Sequence, residues 1–450
     1  MTLKPQYWWQ QTRASFWFVP TLIVLGAIGL ASGLIAMDAN LELPVDKRWP
    51  LLFDAGAAGS RDLLTAVASS MITVAGVVFS ITIVALSLTS SQYTSRVLRN
   101  FMRDRMNQVV LGVFVGNFAY CLVVLRTIRA GDEGAFVPSL AVLGGLVLAF
   151  VGIGFLIYFI HHISMSIQAS TIIAAAAEDS IAAVDHLFPE GLGDDADEDL
   201  LCDQAAVIDG QSWSAIVAGK TGYIESVDGD ALLAWARKHA SMVRMERGIG
   251  EFVIEGSPLI SVADPTGSND EATDELKEVF VISRQRTVEQ DVGFGVRQIV
   301  DVAMKALSPG INDTTTAVMC VDYLGAILTR LAGRRIPKSQ RLDKGELRVI
   351  ARGPCFESLL AEGFDQIRQN AGGNVAILTR QLETLEVIAG QTANIRRRQS
   401  LQKQADRIVD VAERTIPLPH DLAGVKVASV RLAQILNVPS GRPPGSPSRT

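Results

Sequence analysis

The stretch Leu63–Thr89 reads LLTAVASSMITVAGVVFSITIVALSLT and contains no charged residue. A helix needs about 20 mainly apolar residues to cross the hydrocarbon core of a bilayer, so this stretch is long enough to span one. Three more stretches qualify, namely Ser15–Met37, Val109–Leu125 and Ser139–Ile160. The sequence therefore predicts four transmembrane helices in the N-terminal part of the chain.

Composition differs sharply between the two ends of the chain. The 450 residues are 48% hydrophobic with a mean hydropathy of +0.27, but the long apolar stretches all fall within the first 165 residues. A net charge of −6 and scattered arginines do not fit a nucleic-acid partner. We expect a mainly α membrane protein, in which four transmembrane helices precede a small β-barrel-like module and a cytoplasmic α-helical domain.

Changes of period divide the chain into five predicted parts. Helical periodicity continues beyond the fourth apolar stretch to about Leu187, which predicts one continuous helix that leaves the membrane as a stalk. Short strands follow, and helical periods return after Asp264. The parts are a four-helix transmembrane domain at 1–165, a helical stalk and acidic linker at 166–203, a β-rich barrel-sandwich-like module at 204–264, an α-helical soluble domain at 265–437 and a disordered tail at 438–450.

Basic residues predict the orientation of the spans. Arg96, Arg99 and Arg103 lie in the short connection between the second and third apolar stretches. Loops rich in Lys and Arg stay on the cytoplasmic side, so this connection is expected there. An even number of spans then places both termini in the cytoplasm. The expected location is a bacterial inner membrane, and the lipid bilayer is the first expected partner.

Hydroxyl side chains mark one side of the second apolar stretch. Thr73, Ser80, Ser87 and Thr94 recur every seven residues, with Ser91 near the same face. Seven residues are nearly two helical turns, so these side chains form one stripe along the helix. Small and hydroxyl residues favour close packing between membrane helices. The same residues are candidates for lining a water-filled pathway for small ions, and both interpretations stay open.

Two histidines stand where the fourth apolar stretch ends. His161 and His162 are adjacent on a helix, so their side chains point about 100° apart and cannot chelate one metal as an i,i+4 pair would. An interfacial histidine needs no functional role. Alternatively, His161 and His162 form a pH-responsive collar at the inner mouth of a pathway, together with Arg96, Arg99 and Arg103.

The β-rich segment contains the spacing GEFVIEGSPL at Gly250–Leu259. This spacing resembles the half-motif of biotinyl and lipoyl barrel-sandwich domains. The lysine that carries the prosthetic group in those domains is missing from the expected hairpin. We therefore expect a structural or assembly module without a cofactor, and no metal site is predicted elsewhere.

A run that follows the β-rich segment is dense in charge although its apolar periodicity predicts burial. Arg286, Gln290, Asp291, Arg297 and Asp301 are placed to form one hydrogen-bonded network. Such a network more often fixes a helix pair or a subunit contact than binds a ligand, and both alternatives stay open.

A sharp break follows at residues 308–314, which read SPGINDT. Either Asn312 or Asp313 is expected to cap the next helix through its first free N–H groups. The free N–H groups at a helix start also bind anions. A structural corner is therefore one interpretation of this break, and a ligand site is the other.

Three motifs together resemble a known family. They are TSSQYTSRVLRNF at Thr89–Phe101, IHHI at Ile160–Ile163 and the polar run from Arg284 to Asp313. The resemblance, which spans nearly the whole chain, is to bacterial predicted membrane proteins catalogued as a domain of unknown function, DUF2254. In that pattern a proline usually follows the Asn-Asp pair, whereas Thr314 stands here. The resemblance implies an inner-membrane location and assigns no reaction.

Motifs of the common enzyme classes are missing from the sequence. Neither GxxxxGK[ST] nor a strand-flanked GxGxxG occurs, and HExxH and GxSxG are also missing. We therefore do not expect an enzyme. The favoured hypothesis is a homo-oligomeric channel or passive transporter for small ions, with a cytoplasmic assembly or gating domain. The alternative is a membrane-anchored scaffold or stress sensor without transport activity.

Overall fold

The computed structural model describes residues 17–40, 56–92, 104–129, 136–188, 212–263, 270–337 and 339–437. The chain divides into two compact units, Met1–Thr171 and Ile172–Thr450.

Long apolar helices build the first unit. They are α1 (Phe18–Asn40), α2 (Gly56–Gln92), α3 (Arg105–Thr127) and α4 (Ser139–Ser166). Each is long and apolar enough to cross a membrane, with mean hydropathies of 2.2, 2.4, 2.1 and 2.7 in chain order. The four predicted apolar stretches thus correspond to four helices.

Glycines bring α1 and α3 close together. A Cβ atom on Gly112 would lie 2.8 Å from Cδ1 of Ile23 and 3.0 Å from Cα of Pro20, and one on Gly116 would lie 3.4 Å from Cβ of Ala27. Only a residue without a side chain allows the α1 backbone to approach so closely. The GxxxG spacing in α3 is therefore a packing site for α1.

Hydrogen bonds fix the directions of the helices. Asp38 at the end of α1 accepts hydrogen bonds from the first backbone amides of α4, at 2.9 Å from N of Leu140 and 3.2 Å from N of Ala141. At the other end of α4, His162 contacts Asp104, which precedes α3. Both α1 and α3 therefore run antiparallel to α4.

The helix after α4 begins as a separate element. We expected one helix from the fourth apolar stretch to about Leu187, but α4 ends at Ser166 and a separate helix, α5, covers Ala169–Leu187. The amide of Ile167 is bonded to the carbonyl of Met165, and the resulting turn interrupts the helical ladder. From Ile172 onward α5 belongs to the second unit.

Two small sheets occupy the first part of the second unit. The predicted strands are present as β1 (Trp213–Val217), β2 (Gly222–Val227), β3 (Val243–Met245), β4 (Phe252–Val253) and β5 (Pro258–Ala263). Later parts of the chain add β6 (Phe280–Ser283), β7 (Gln340–Asp343) and β8 (Glu346–Ile350). The strand orders are β1-β5-β3-β8-β7 and β4-β2-β6, and among these described strands only β3 and β8 pair in parallel.

The described strands therefore do not close into the barrel-like module that we expected. Among the described residues the strands form two open sheets, and strands β6 to β8 come from the segment predicted to be purely helical. The sequence pattern missed the β7–β8 hairpin because β7 is largely exposed and lacks the apolar alternation of a half-buried strand. An apolar core that includes Ile224, Trp235 and Leu276 lies within this part of the unit.

Helices complete the second unit. They are α6 (Gly229–Lys238), α7 (Asp270–Glu278), α8 (Val292–Ala306), α9 (Thr314–Ala332), α10 (Phe356–Asn370), α11 (Val375–Ala389), α12 (Ile395–Thr415) and α13 (Pro419–Asn437). Asp291, Asp313, Asn374 and Asn394 cap α8, α9, α11 and α12 through their side chains. The described chain is thus mostly helical.

Helix α9 is a fifth helix that meets the length and composition of a membrane span, with a mean hydropathy of 1.2. It packs against α8, α10 and α11 of the second unit. By apolar length alone, the described residues therefore contain five candidate membrane helices.

Candidate functional site

The hydroxyl stripe lies on the outward side of α2. From Leu64 onward the buried residues of this helix follow a seven-residue repeat, and they are Leu64, Ala68, Met71, Ala75, Val78, Thr82, Ala85 and Thr89. Thr73, Ser80 and Ser87 are exposed, and each lies midway between two of these buried positions. Two residues correspond to about 200° around a helix, so the stripe is opposite the packed face. Packing among the described residues of the first unit therefore does not explain the stripe.

The hydroxyl groups are bonded to their own helix. Oγ1 of Thr73 donates to the carbonyl of Ser69 at 2.7 Å, and Oγ of Ser80 donates to that of Gly76 at 2.8 Å. A hydroxyl that donates inward still has lone pairs that accept a hydrogen bond or contact a cation. The stripe therefore presents oxygen acceptors and no formal charge.

The other predicted pathway residues are only partly described. Ser91 lies within α2, but its side chain is outside the described part of the structure. Thr94, Arg96, Arg99 and Arg103 also lie outside the described residues. The predicted pathway-lining role of Ser91 and Thr94 and the predicted inner-mouth role of the three arginines remain predictions.

The adjacent histidines have different surroundings. His161 is exposed, whereas His162 is half-buried. Nε2 of His162 lies 2.5 Å from Oδ2 of Asp104, and its ring stacks on Tyr158. Asp104 also caps α3 by accepting from N of Met106 at 2.9 Å. The contact between His162 and Asp104 therefore joins the end of α4 to the start of α3. The rings of His161 and His162 do not share one site.

Buried amides inside the first unit were not predicted as site residues. Asn107 is 2% exposed, and neither polar atom of its side chain has a hydrogen-bond partner in the described structure. Asn117 accepts from Sγ of Cys121 at 3.7 Å, while its Nδ2 has no partner there. Both residues lie on the α3 face that packs inside the bundle. The available sequence signal was Asn117 alone, which interrupts the apolar stretch Val109–Leu125.

Charged side chains gather at the start of α8 in the second unit. Nε and Nη2 of Arg286 donate to the two carboxylate oxygens of Asp291 at 2.7 and 3.0 Å. Asp291 is buried and caps α8 by accepting from N of Phe294 at 3.0 Å. Oε1 of Gln290 accepts from N of Val227 at 3.2 Å, which ties this loop to β2. The structure thus brings three of the predicted network residues together.

Gly250 packs directly on this ion pair. Its φ of +81° is a conformation that favours glycine. A Cβ atom there would also approach Oδ2 of Asp291 and lie 3.0 Å from Nη2 of Arg286. Both backbone conformation and space therefore require glycine at this position.

A second ion pair and an unpredicted carboxyl group lie nearby. Nε of Arg297 donates to Oδ1 of Asp301 at 2.9 Å, one turn further along α8. Glu362 of α10 interacts electrostatically with both arginines and both aspartates, and burial raises the pKa of its carboxyl group above the usual range. Sequence reasoning missed Glu362 because only the tertiary fold brings α10 beside α8.

The corner at residues 308–314 is a helix cap. Oδ1 of Asp313 accepts from N of Thr316 at 3.0 Å, and Oδ2 accepts from its hydroxyl at 2.6 Å. These bonds lower the pKa of Asp313 below its ordinary value. Asn312 has a φ of +49°, a left-handed conformation that asparagine tolerates. Asp313 is therefore the capping residue, as one of the two predicted alternatives proposed.

Several helices long enough to cross a bilayer, packed through glycines and carrying polar groups, define a multi-pass membrane protein. The chain belongs to the family of predicted membrane proteins DUF2254, whose model matches residues 13–387. This match confirms the resemblance seen in the sequence motifs.

Relatives of this chain occur in mycobacteria. Uncharacterized proteins of Mycobacterium tuberculosis and Mycobacterium bovis are each 35% identical over 436 residues, which cover 95% of this chain and 82% of the relative. No solved structure matches the chain.

Proposed function

We propose that this protein is a homo-oligomeric channel or passive transporter for small ions in a bacterial inner membrane. The observation that carries the proposal is the position of Thr73, Ser80 and Ser87, opposite the packed face of α2. Symmetric assembly around this face would place rows of hydroxyl oxygens along a shared axis. Such oxygens replace part of an ion's hydration without the cost of a fixed charge in the bilayer.

The proposed topology has four spans, α1 to α4, with both termini in the cytoplasm. In this proposal α9 stays with the second unit. Its Arg330 donates to both carboxylate oxygens of Asp185 at 2.6 and 3.0 Å, and Asp322 lies 3.4 Å from Arg380. Charged pairs on a packed helix are easier to accommodate in water than in lipid. The arginines after α2 support a cytoplasmic side for the α2–α3 connection.

Ion flux into liposomes tests the proposal. We expect wild-type protein to conduct, and Ser80→Leu and Ser87→Leu to reduce the flux strongly, because each adds an apolar side chain to the proposed lining. Ile81→Leu is the matched control, since Ile81 is 38% exposed on the same helix but lies about 100° around the helix axis from Ser80. Folding of each variant is checked by thermal unfolding in the same detergent.

Two outcomes contradict this proposal. Conduction that is unchanged in both folded serine variants would show that α2 does not line the path. A protein that is monomeric both in mild detergent and in nanodiscs would remove the shared axis.

A membrane-anchored scaffold or sensor is the second candidate function. It is favoured by the internal hydrogen bonds of Thr73 and Ser80, because a hydroxyl already bonded to its own helix needs no water. The α2 face could then meet lipid or another copy without a pathway. Failure of the wild type to conduct across a range of pH, tension and salt would favour this candidate.

A further inference from the structure

A cavity of about 610 Å³ lies beside the Arg286–Asp291 pair in the second unit. Three separate stretches of chain enclose it, at residues 248–251, 286–293 and 352–362. Gly248, Gly250 and Gly293 line it without side chains, and Ile249 and Leu359 provide apolar surface. The cavity is large enough for a small organic molecule.

The arginines of this cavity are already paired. Arg286 holds Asp291 through two hydrogen bonds, and Nε of Arg352 lies 2.7 Å from Oε1 of Glu251. Glu362 also lines the cavity, but it has no hydrogen bond or ion pair among the described residues. Glu362 therefore interacts with Arg286 and Arg297 only at longer range, and Arg286, Asp291 and Glu362 together carry one negative charge when both carboxyl groups are ionised. This balance disfavours an anionic ligand.

The carboxyl groups of Glu362 and Asp291 border the same small space. A point one Cβ bond from the backbone of Gly293 lies 3.3 Å from Oδ1 of Asp291 and 3.3 Å from Oε2 of Glu362. The two oxygens are thus no further apart than twice that distance. Cδ2 of Leu359 lies 3.4 Å from the same point and forms an apolar wall. A primary ammonium group is a compact cation with three N–H donors, which suits two flanking carboxylates.

We propose that this cavity binds a small molecule with a primary ammonium group, held between the carboxylates of Glu362 and Asp291. The apolar part of the ligand would lie against Leu359 and Ile249. The ammonium group would supply the N–H donors in direct contact that Glu362 does not have among the described residues. The site is independent of any transport by the first unit.

Matched four-carbon probes test this site on the full chain in detergent. Butylammonium, butyrate and butanol share one alkyl chain and differ in charge, and each is added at about 20 mM and equal ionic strength while thermal unfolding is followed. We expect butylammonium alone to raise the unfolding temperature. Isothermal titration should then show binding that Glu362→Gln weakens by about tenfold or more.

Variants on the same elements provide the controls. Glu357→Gln removes a carboxylate from the exposed side of α10 and should leave binding unchanged. Gly293→Ala places a methyl group between the two carboxylates and should also weaken binding, which keeps the test decisive if Glu362→Gln fails to fold.

Stabilisation by butyrate instead of butylammonium would overturn the proposal. Equal effects of all three probes would indicate unspecific apolar binding and overturn it as well. The same conclusion follows if no probe binds the folded wild type, or if Glu362→Gln and Gly293→Ala both fold and bind normally.

Discussion

Single residues show how far chemistry can be deduced from sequence position. Arg286 and Asp291 are five residues apart, so their pairing could be expected, and Asp313 could be expected to cap α9. Glu362 could not be assigned, because it is more than seventy residues from Asp291 along the chain and meets the cluster only through packing of α10. Contacts between residues that are close in sequence can be deduced from a short stretch. A cavity is formed by several stretches that are distant in sequence, so its residues cannot be deduced in this way.

The raised pKa of Glu362 makes a prediction about pH. The carboxyl group faces Arg286 and Asp291 from the loop and Arg297 and Asp301 from α8, and burial is the largest cause of the shift. Because the folded pKa lies above the unfolded value, the folded state binds more protons, so this contribution to stability is lost as pH rises through the folded pKa. We expect Glu362→Gln to be more stable than wild type at pH 8.

The gain should be no more than about 1 kcal/mol, because the carboxyl group keeps part of its hydration. It should shrink as the pH is lowered toward the folded pKa of Glu362, because the wild-type carboxyl group then takes up its proton. Urea unfolding at pH 8 and pH 5 measures the difference. A gain in the free energy of unfolding that is larger at pH 5 than at pH 8 would contradict this prediction.

Helices and strands were predicted well where their buried residues recur at the period of the element. The short strands predicted within residues 204–264 and the helices predicted after Asp264 are both present. The β7–β8 hairpin was missed because its exposed residues carry no alternating pattern. Helix α13 lies inside the segment predicted to be helical and begins at Pro419, a position where a missing N–H costs nothing.

The contact between α1 and α3 supplies a prediction at this scale. Gly112→Val places branched carbon atoms where Ile23 and Pro20 already lie, and overpacking of this kind costs about 1–3 kcal/mol. Gly29→Val is the control, because a Cβ atom at Gly29 meets nothing within 4 Å. Thermal unfolding of both variants in one detergent measures the effect. Equal stability of the two variants would show that the α1–α3 approach is not tight.

At the scale of the whole molecule, the number of spans decides where the chain ends. If α1 to α4 cross the membrane and α9 does not, both ends of the chain lie on the same side. We expect a cytoplasm-dependent reporter to be active when fused before Met1 and also after Asn437. A periplasm-dependent reporter should be inactive at both places. Opposite results at the two ends would mean an odd number of crossings and would point to α9 as the fifth.

The internal hydrogen bonds of α2 have a consequence for how the protein is made. The hydroxyl hydrogens of Thr73 and Ser80 are bonded to carbonyl groups one turn earlier, so neither needs a neighbouring chain during insertion. These two hydroxyl groups therefore place no demand on a partner while the helix enters the bilayer. If copies assemble as proposed, they would meet afterwards by lateral diffusion, and the extent of assembly would follow the density of the protein in the membrane rather than the timing of its synthesis.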